Sequence, residues 1–116
     1  MAVIQQIRTA QAQSRKLLAL LIDPEKQSSV QVLYPFLSLP DLIFVGGSTG
    51  NQCDTCVEEL RKHTSRPIVR FPGNITQFTA KADALLSLSV LTSRLPQLLI
   101  EPHIQMATTI LQSGIE

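Results

Sequence analysis

The chain has 116 residues, 44% of them apolar and 16% charged, which suits one globular domain rich in aliphatic side chains. A net charge of +1, aromatics at 4% and the absence of Trp supply neither the basic field nor the stacking rings that nucleic-acid binders use. No apolar stretch approaches the ~20 residues of a transmembrane span, and the opening MAVIQQIRTAQAQSRK lacks the apolar core of a signal peptide, so a cytoplasmic protein with reduced cysteines is expected.

Val3, Ile4, Ile7 and Ala10 recur at helical spacing and predict a leading helix over Val3 to Gln13. Lys16 to Asp23 reads KLLALLID, a continuous aliphatic run too short for a buried helix and stopped by Pro24. A parallel strand covered on both faces reads this way. Ser28 or Ser29 is placed to cap a helix running to about Leu37, and Pro40 closes that region. Leu42 to Val45 is a second strand. Cys53 to His63 is a helix with Val57 and Leu60 facing inward, and Asp54, Glu58 and Glu59 lie near its start, where the helix dipole favours anions. Pro67 to Phe71 is a third strand, Ile75 to Ala82 a short helix and Ala84 to Ser89 a fourth strand. Leu98 to Gln112 is a last helix, with Gly114 at its C′ position.

One helix followed by four βα units implies an α/β protein whose parallel sheet is covered by helices. Two architectures fit: a small doubly wound sheet, or half of a (β/α)8 barrel, which takes ~250 residues. The last residues, Ile115 and Glu116, bring no polar closing segment, and a cut within a longer domain is expected there.

Both architectures bring ligands to the carboxyl ends of the strands. Asp23 ends the first strand, where a carboxylate serves as a hard-cation ligand of the kind magnesium takes, or else turns the chain before Pro24. Lys26 can meet a phosphate as a point charge or stay solvated, as Glu25 is expected to. Gly46 and Gly47 lack a Cβ, so their backbone can approach an oxyanion closely, and the Ser48 hydroxyl can complete a magnesium shell. The bland alternative is a strand-ending turn with a serine cap. The stretch lacks the lysine of a Walker A loop and does not read G-x-G-x-x-G. Cys53-x-x-Cys56 has no second pair to complete a zinc site and reads as two small residues in the first turn of a helix. His103 has no acid or cysteine at i±4 and reads as a packed or surface histidine; Arg94 faces either an anion or solvent. Two further classes stay open on these residues: a flavodoxin-shaped module that binds a phosphorylated ligand or a partner protein without catalysis, and a thiol redox protein using Cys53 and Cys56.

Taken together, LLIDPEK (Leu20 to Lys26), FVGGSTGN (Phe44 to Asn51), RPIVRFPGN (Arg66 to Asn74) and ADALLSLSVLTSR (Ala82 to Arg94) resemble, in order and spacing, the geranylgeranylglyceryl and heptaprenylglyceryl phosphate synthases. The similarity runs from about Lys16 to Glu116 and includes QCDTCVEELRKHT with Asp54 in place. The resemblance implies a TIM-barrel-like prenyltransferase, with residues 1–116 as the N-terminal half of its single domain, roughly the first four βα units. It implies magnesium held by Asp23 and Ser48, with Lys26, Gly46 and Gly47 at the substrate. The implied reaction joins a polyprenyl diphosphate to the 3-hydroxyl of sn-glycerol 1-phosphate in ether-lipid synthesis. The family's glycerol-phosphate site and general base lie in the second half of its barrel, so no catalytic residue is assigned here, and the chain alone is expected to be inert and to self-associate. Family members are commonly homo-oligomers. The loop after the fourth strand departs from the family, with Leu95 where an asparagine is common and Glu101 where a glycine is, and no role is assigned to Arg94.

Overall fold

A computed structural model of the chain describes residues 2–26, 29–47, 51–72, 79–87, 91–96 and 100–116. Helix α1 spans Val3–Ala12, strand β1 Ala19–Ile22, a 3-10 helix Val30–Phe36, and strand β2 Leu42–Val45. Helix α2 spans Asn51–His63, strands β3 and β4 span Ile68–Arg70 and Ala84–Leu85, and helix α3 spans Glu101–Ser113. Every element follows from its residues. Ser29 caps the 3-10 helix by accepting from the Gln31 amide, while β-branched Val30 and Val32 and the internal Pro35 keep it from being an α-helix. Helix α2 places Asp54 in its first turn and Arg61, Lys62 and His63 in its last, matching its dipole at both ends. Gly114 ends α3 in the left-handed conformation at φ +69°, as its position predicts.

The boundaries differ modestly from expectation. Strand β1 is shorter than the Lys16 to Asp23 run, because only Ala19 to Ile22 find ladder partners. Helix α3 starts at Glu101, with Pro102 in its first turn, later than Leu98. Of the helix expected over Ile75 to Ala82, residues 75–78 lie outside the described residues and 79–82 form turn and bend, not helix. The fourth strand, expected to reach Ser89, ends at Leu85, and residues 88–90 lie outside the described residues.

All three strand pairings are parallel and the sheet runs β1-β2-β3-β4. This order separates the two architectures. A doubly wound sheet reverses its strand order at a switch point and lays helices on both faces. Here the order never reverses, and α2 and the 3-10 helix cover the same face. Their Cys53, Cys56, Val57, Leu60, Val30, Leu33 and Tyr34 pack with Ile22, Ile43, Val45 and Ile68. The opposite face carries Leu42, Phe44, Val69 and Ala84, closed at the amino end of the strands by Val3 of α1. That is one wall of a (β/α)8 barrel, with helices outside and an aliphatic lining inside. It disfavours the flavodoxin-shaped alternative.

Beyond α3 the chain returns to the sheet. The Leu85 amide donates to the Glu116 carbonyl at 2.7 Å and the Glu116 amide to the Asp83 carbonyl at 3.5 Å, a parallel bridge opposite Ala84. This is where the fifth strand of a barrel sits. The Glu116 carboxylate accepts from the amides of Val3 and Ile4, both at 2.5 Å. It thus caps α1, whose own N-cap residue Ala2 offers no side-chain acceptor.

Candidate functional site: the carboxyl rim of strands one to three

The parallel ladder brings the ends of β1, β2 and β3 to one rim. Asp23 follows β1 directly. Its Oδ1 accepts from the Glu25 amide at 3.0 Å, and its carbonyl accepts from the Lys26 amide at 3.1 Å, so the residue also builds the Asp23–Lys26 turn. The turn reading of Asp23 therefore holds, although the cap of the following helix is Ser29. The Asp23 side chain is 23% exposed, and the Lys26 ammonium stands 3.8 Å from Oδ2 on a side chain that is 86% exposed. Lys26 is thus at the rim, largely solvated and only loosely paired with Asp23.

Gly46 and Gly47 follow β2. The Gly46 amide is committed to the Ile22 carbonyl at 2.8 Å, so this glycine offers close packing, not a donor: a Cβ there would meet Leu21 Cδ1 at 3.2 Å. Gly47 takes φ +59°, and a Cβ on it would stand 2.1 Å from Asp23 Oδ1. The Asp23 carboxylate fills the space that a side chain at 47 would need. The ends of the first two strands thus meet, and Ser48 is the next residue in the chain; Ser48, Thr49 and Gly50 lie outside the described residues.

Arg70 carries no local signal of a functional role in the sequence. It ends β3, is fully buried, and points its guanidinium at the end of β2. Nη1 donates to the Val45 carbonyl at 2.7 Å and the Phe71 carbonyl at 3.5 Å, and Nη2 to the Gly47 carbonyl at 2.9 Å. A charged residue at the end of an apolar strand reads as solvated; only the tertiary fold shows it turned back onto main-chain carbonyls.

At the fourth strand tip, Ser87 Oγ and His103 Nδ1 lie 2.6 Å apart, so His103 has a hydroxyl partner reached across the fold. Arg94 is exposed. Cys53 and Cys56 are buried in the packing of α2 and form no disulfide. Burial pushes the Cys56 thiol up to about 11, helped by Cys53 and opposed by Arg70, so the thiolate needed for redox exchange is scarce at neutral pH. The thiol redox reading loses its chemistry.

A hard divalent cation fits this rim better than zinc does. Among the described residues no group of three or more His, Cys, Asp and Glu side chains converges. A single, partly exposed carboxylate instead faces a glycine turn followed by a serine. Magnesium takes one or two carboxylates and fills the rest of its shell with water and phosphate oxygens. Among the described residues no helix is long and apolar enough to cross a membrane.

The chain is similar to known proteins in sequence and in fold. The family model described as the PcrB family matches residues 10–116. The geranylgeranylglyceryl phosphate synthase of Zunongwangia profunda is 43% identical over 108 residues, covering 89% of this chain and 46% of the relative. The synthase of the same name from Methanothermobacter thermautotrophicus is 34% identical over 108 residues, covering 88% of this chain and 44% of the relative. The chain spans about half the length of the curated relatives it matches. Among solved structures, the (S)-3-O-geranylgeranylglyceryl phosphate synthase of Thermoplasma acidophilum, in complex with its substrate sn-glycerol-1-phosphate, superposes with a TM-score of 0.85. At 24% identity it covers all of this chain and 49% of its own, a likeness of fold. The four strands are thus those of a TIM-barrel-like domain.

Proposed function

The chain belongs to the PcrB family, and from that premise we propose that it forms the cation and diphosphate side of a prenyltransferase acting on sn-glycerol 1-phosphate. In the reaction the glycerol 3-hydroxyl oxygen bonds to the allylic carbon of a polyprenyl diphosphate. The bond from that carbon to the diphosphate oxygen breaks, the diphosphate leaves with the electron pair, and the hydroxyl proton passes to a base. No described residue of this chain is assigned as that base. Asp23 and Ser48 are the proposed magnesium ligands and Lys26 and Gly47 the proposed contacts to the diphosphate, while Gly46, expected beside them, is corrected to a packing role because its amide is committed to the Ile22 carbonyl. A magnesium ion held there would neutralise charge on the leaving diphosphate.

The observation that supports this most directly is the Asp23 carboxylate seated where a Gly47 side chain would be. It joins the two strand tips that carry the proposed ligands. Asp23 also spans its own turn, which fixes the carboxylate before any ligand arrives. Lys26, on an exposed stem beside it, can turn to a phosphate without breaking a packed contact. Gly46 keeps the strand tips close, since a Cβ there would meet Leu21 Cδ1 at 3.2 Å. The aliphatic inner face of β2 and β3 offers apolar walls for a prenyl chain. On the same reading the protein works in the cytoplasm as a homo-oligomer.

The test is retention of geranylgeranyl diphosphate by the chain, measured by calorimetry with and without magnesium. Magnesium-dependent binding that Asp23→Asn abolishes is expected. Binding indifferent to both magnesium and Asp23 would count against the proposal.

A further inference from the structure

We infer that Arg70 is a positioning residue for the cation rim: its guanidinium holds the Gly46–Gly47 turn in the shape that admits the Asp23 carboxylate. The inference rests on the metal reading above. Nη1 joins the Phe71 amide on the Val45 carbonyl, which therefore accepts two bonds at the last rung of the β2–β3 ladder. Nη2 takes the Gly47 carbonyl, one step beyond that rung. The side chain thus carries the ladder past the point where β2 ends, and anchors the turn to β3 through a charge-assisted donor.

The anchored residue is the one that matters. Gly47 holds φ +59°, and its missing Cβ is the space that Asp23 Oδ1 occupies. Were the 46–47 peptides to relax, that space would close and the carboxylate would lose its seat. Arg70 on β3, Gly47 after β2 and Asp23 after β1 thus form one line across three strand ends. A fully buried charge is a costly way to fill a core position that an aliphatic residue would pack. The forked pair of donors, one to each of two carbonyls two residues apart, is what an arginine supplies there and a lysine does not.

The experiment titrates Mn2+ against the chain and follows the free ion by its electron paramagnetic resonance signal. Wild type, Arg70→Lys, Arg70→Met and Asp23→Asn are compared at a temperature where circular dichroism shows each folded. Both Arg70 variants are expected to bind Mn2+ at least about tenfold more weakly, the lysine included, since it keeps the charge but not the fork. A role confined to stability would lower the melting temperature and leave the affinity of the folded chain unchanged. Should Arg70→Met fail to fold, Arg70→Lys decides alone. Loss of binding in Asp23→Asn together with wild-type affinity in the Arg70 variants overturns the inference while sparing the metal reading. Equal affinity in wild type and Asp23→Asn sinks the metal reading and the inference with it.

Discussion

Asp23 and Gly47, one residue beyond β1 and two beyond β2, are fitted to each other: the carboxylate Oδ1 lies 2.1 Å from where a Cβ on Gly47 would stand. The backbone at Gly47 is left-handed at φ +59°, which a side chain tolerates poorly. Gly47→Ala therefore meets two penalties, a strained backbone worth roughly 1–3 kcal/mol and a collision that expels the carboxylate. At Gly46 the nearest atom to an added Cβ is Leu21 Cδ1 at 3.2 Å, the end of an exposed side chain that can turn away. Gly46→Ala is expected to lose less than about 1.5 kcal/mol and to keep divalent-ion binding. Urea denaturation with a Mn2+ titration of both variants decides; equal effects at the two glycines would contradict the fit.

Asp23→Asn separates structure from charge. The amide oxygen still accepts from the Glu25 amide, so the turn survives and stability is expected to stay within about 0.5 kcal/mol of wild type. Only the anionic ligand is lost, and magnesium-dependent binding of the prenyl diphosphate is expected to fall by at least about tenfold. A variant with an unchanged melting temperature and unchanged binding would remove Asp23 from the site.

Which parts of this site the sequence discloses follows from where the forces act. KLLALLID and LIFV declare parallel strands because both their faces are aliphatic, and Asp23 and Gly46 mark their ends by abrupt change of chemistry. But β1 is covered on one face only, since Leu21 is 59% exposed at the edge of the sheet. Helix α2 is legible from Val57 and Leu60 and from its charged ends. Barrel and doubly wound sheet cannot be told apart that way, because strand order is a property of the pairing, not of any one strand. Arg70 is illegible for a related reason. Its neighbours Ile68 and Val69 announce a core strand, but nothing local says that a guanidinium will turn inward onto carbonyls twenty-three and twenty-five residues earlier. The Glu116 cap on α1 is set by contacts across almost the whole chain.

Cys56 gives a pH-dependent prediction. Its thiol is raised from 9.0 to about 11 in the folded chain, so above pH 9.0 the unfolded chain loses a proton that the folded chain keeps. Stability then falls as pH rises, since the folded state binds more protons. The advantage of wild type over Cys56→Ala is expected to be constant below pH 9.0, to shrink towards pH 11, and to level off beyond it. Denaturation of both proteins across that range checks it. In the folded protein at neutral pH, alkylation by a thiol reagent is expected to be slow and to accelerate sharply in denaturant.

The inner face predicts association. Leu21, Phe44, Val69 and Ala84 stand in one register row across the four strands. Val69 and Ala84 are buried, yet Leu21 at the outer end of the row is 59% exposed, and so is Leu18 just before β1. Strand β1 pairs only with β2, so its other edge offers unpaired ladder groups among the described residues. An apolar face beside an open edge is the combination that recruits another strand. The chain made alone is therefore expected to run larger than a monomer in size-exclusion chromatography with light scattering. Leu18→Lys and Leu21→Ser, which place a charge beside the edge and a hydroxyl on the face, are expected to shift it towards monomer. Because Leu18 and Leu21 are exposed, neither change removes core packing, so a loss of association without a loss of melting temperature is the outcome the geometry requires. A wild-type chain that runs as a sharp monomer and melts cooperatively would show that exposed Leu18 and Leu21 beside the open edge drive no assembly.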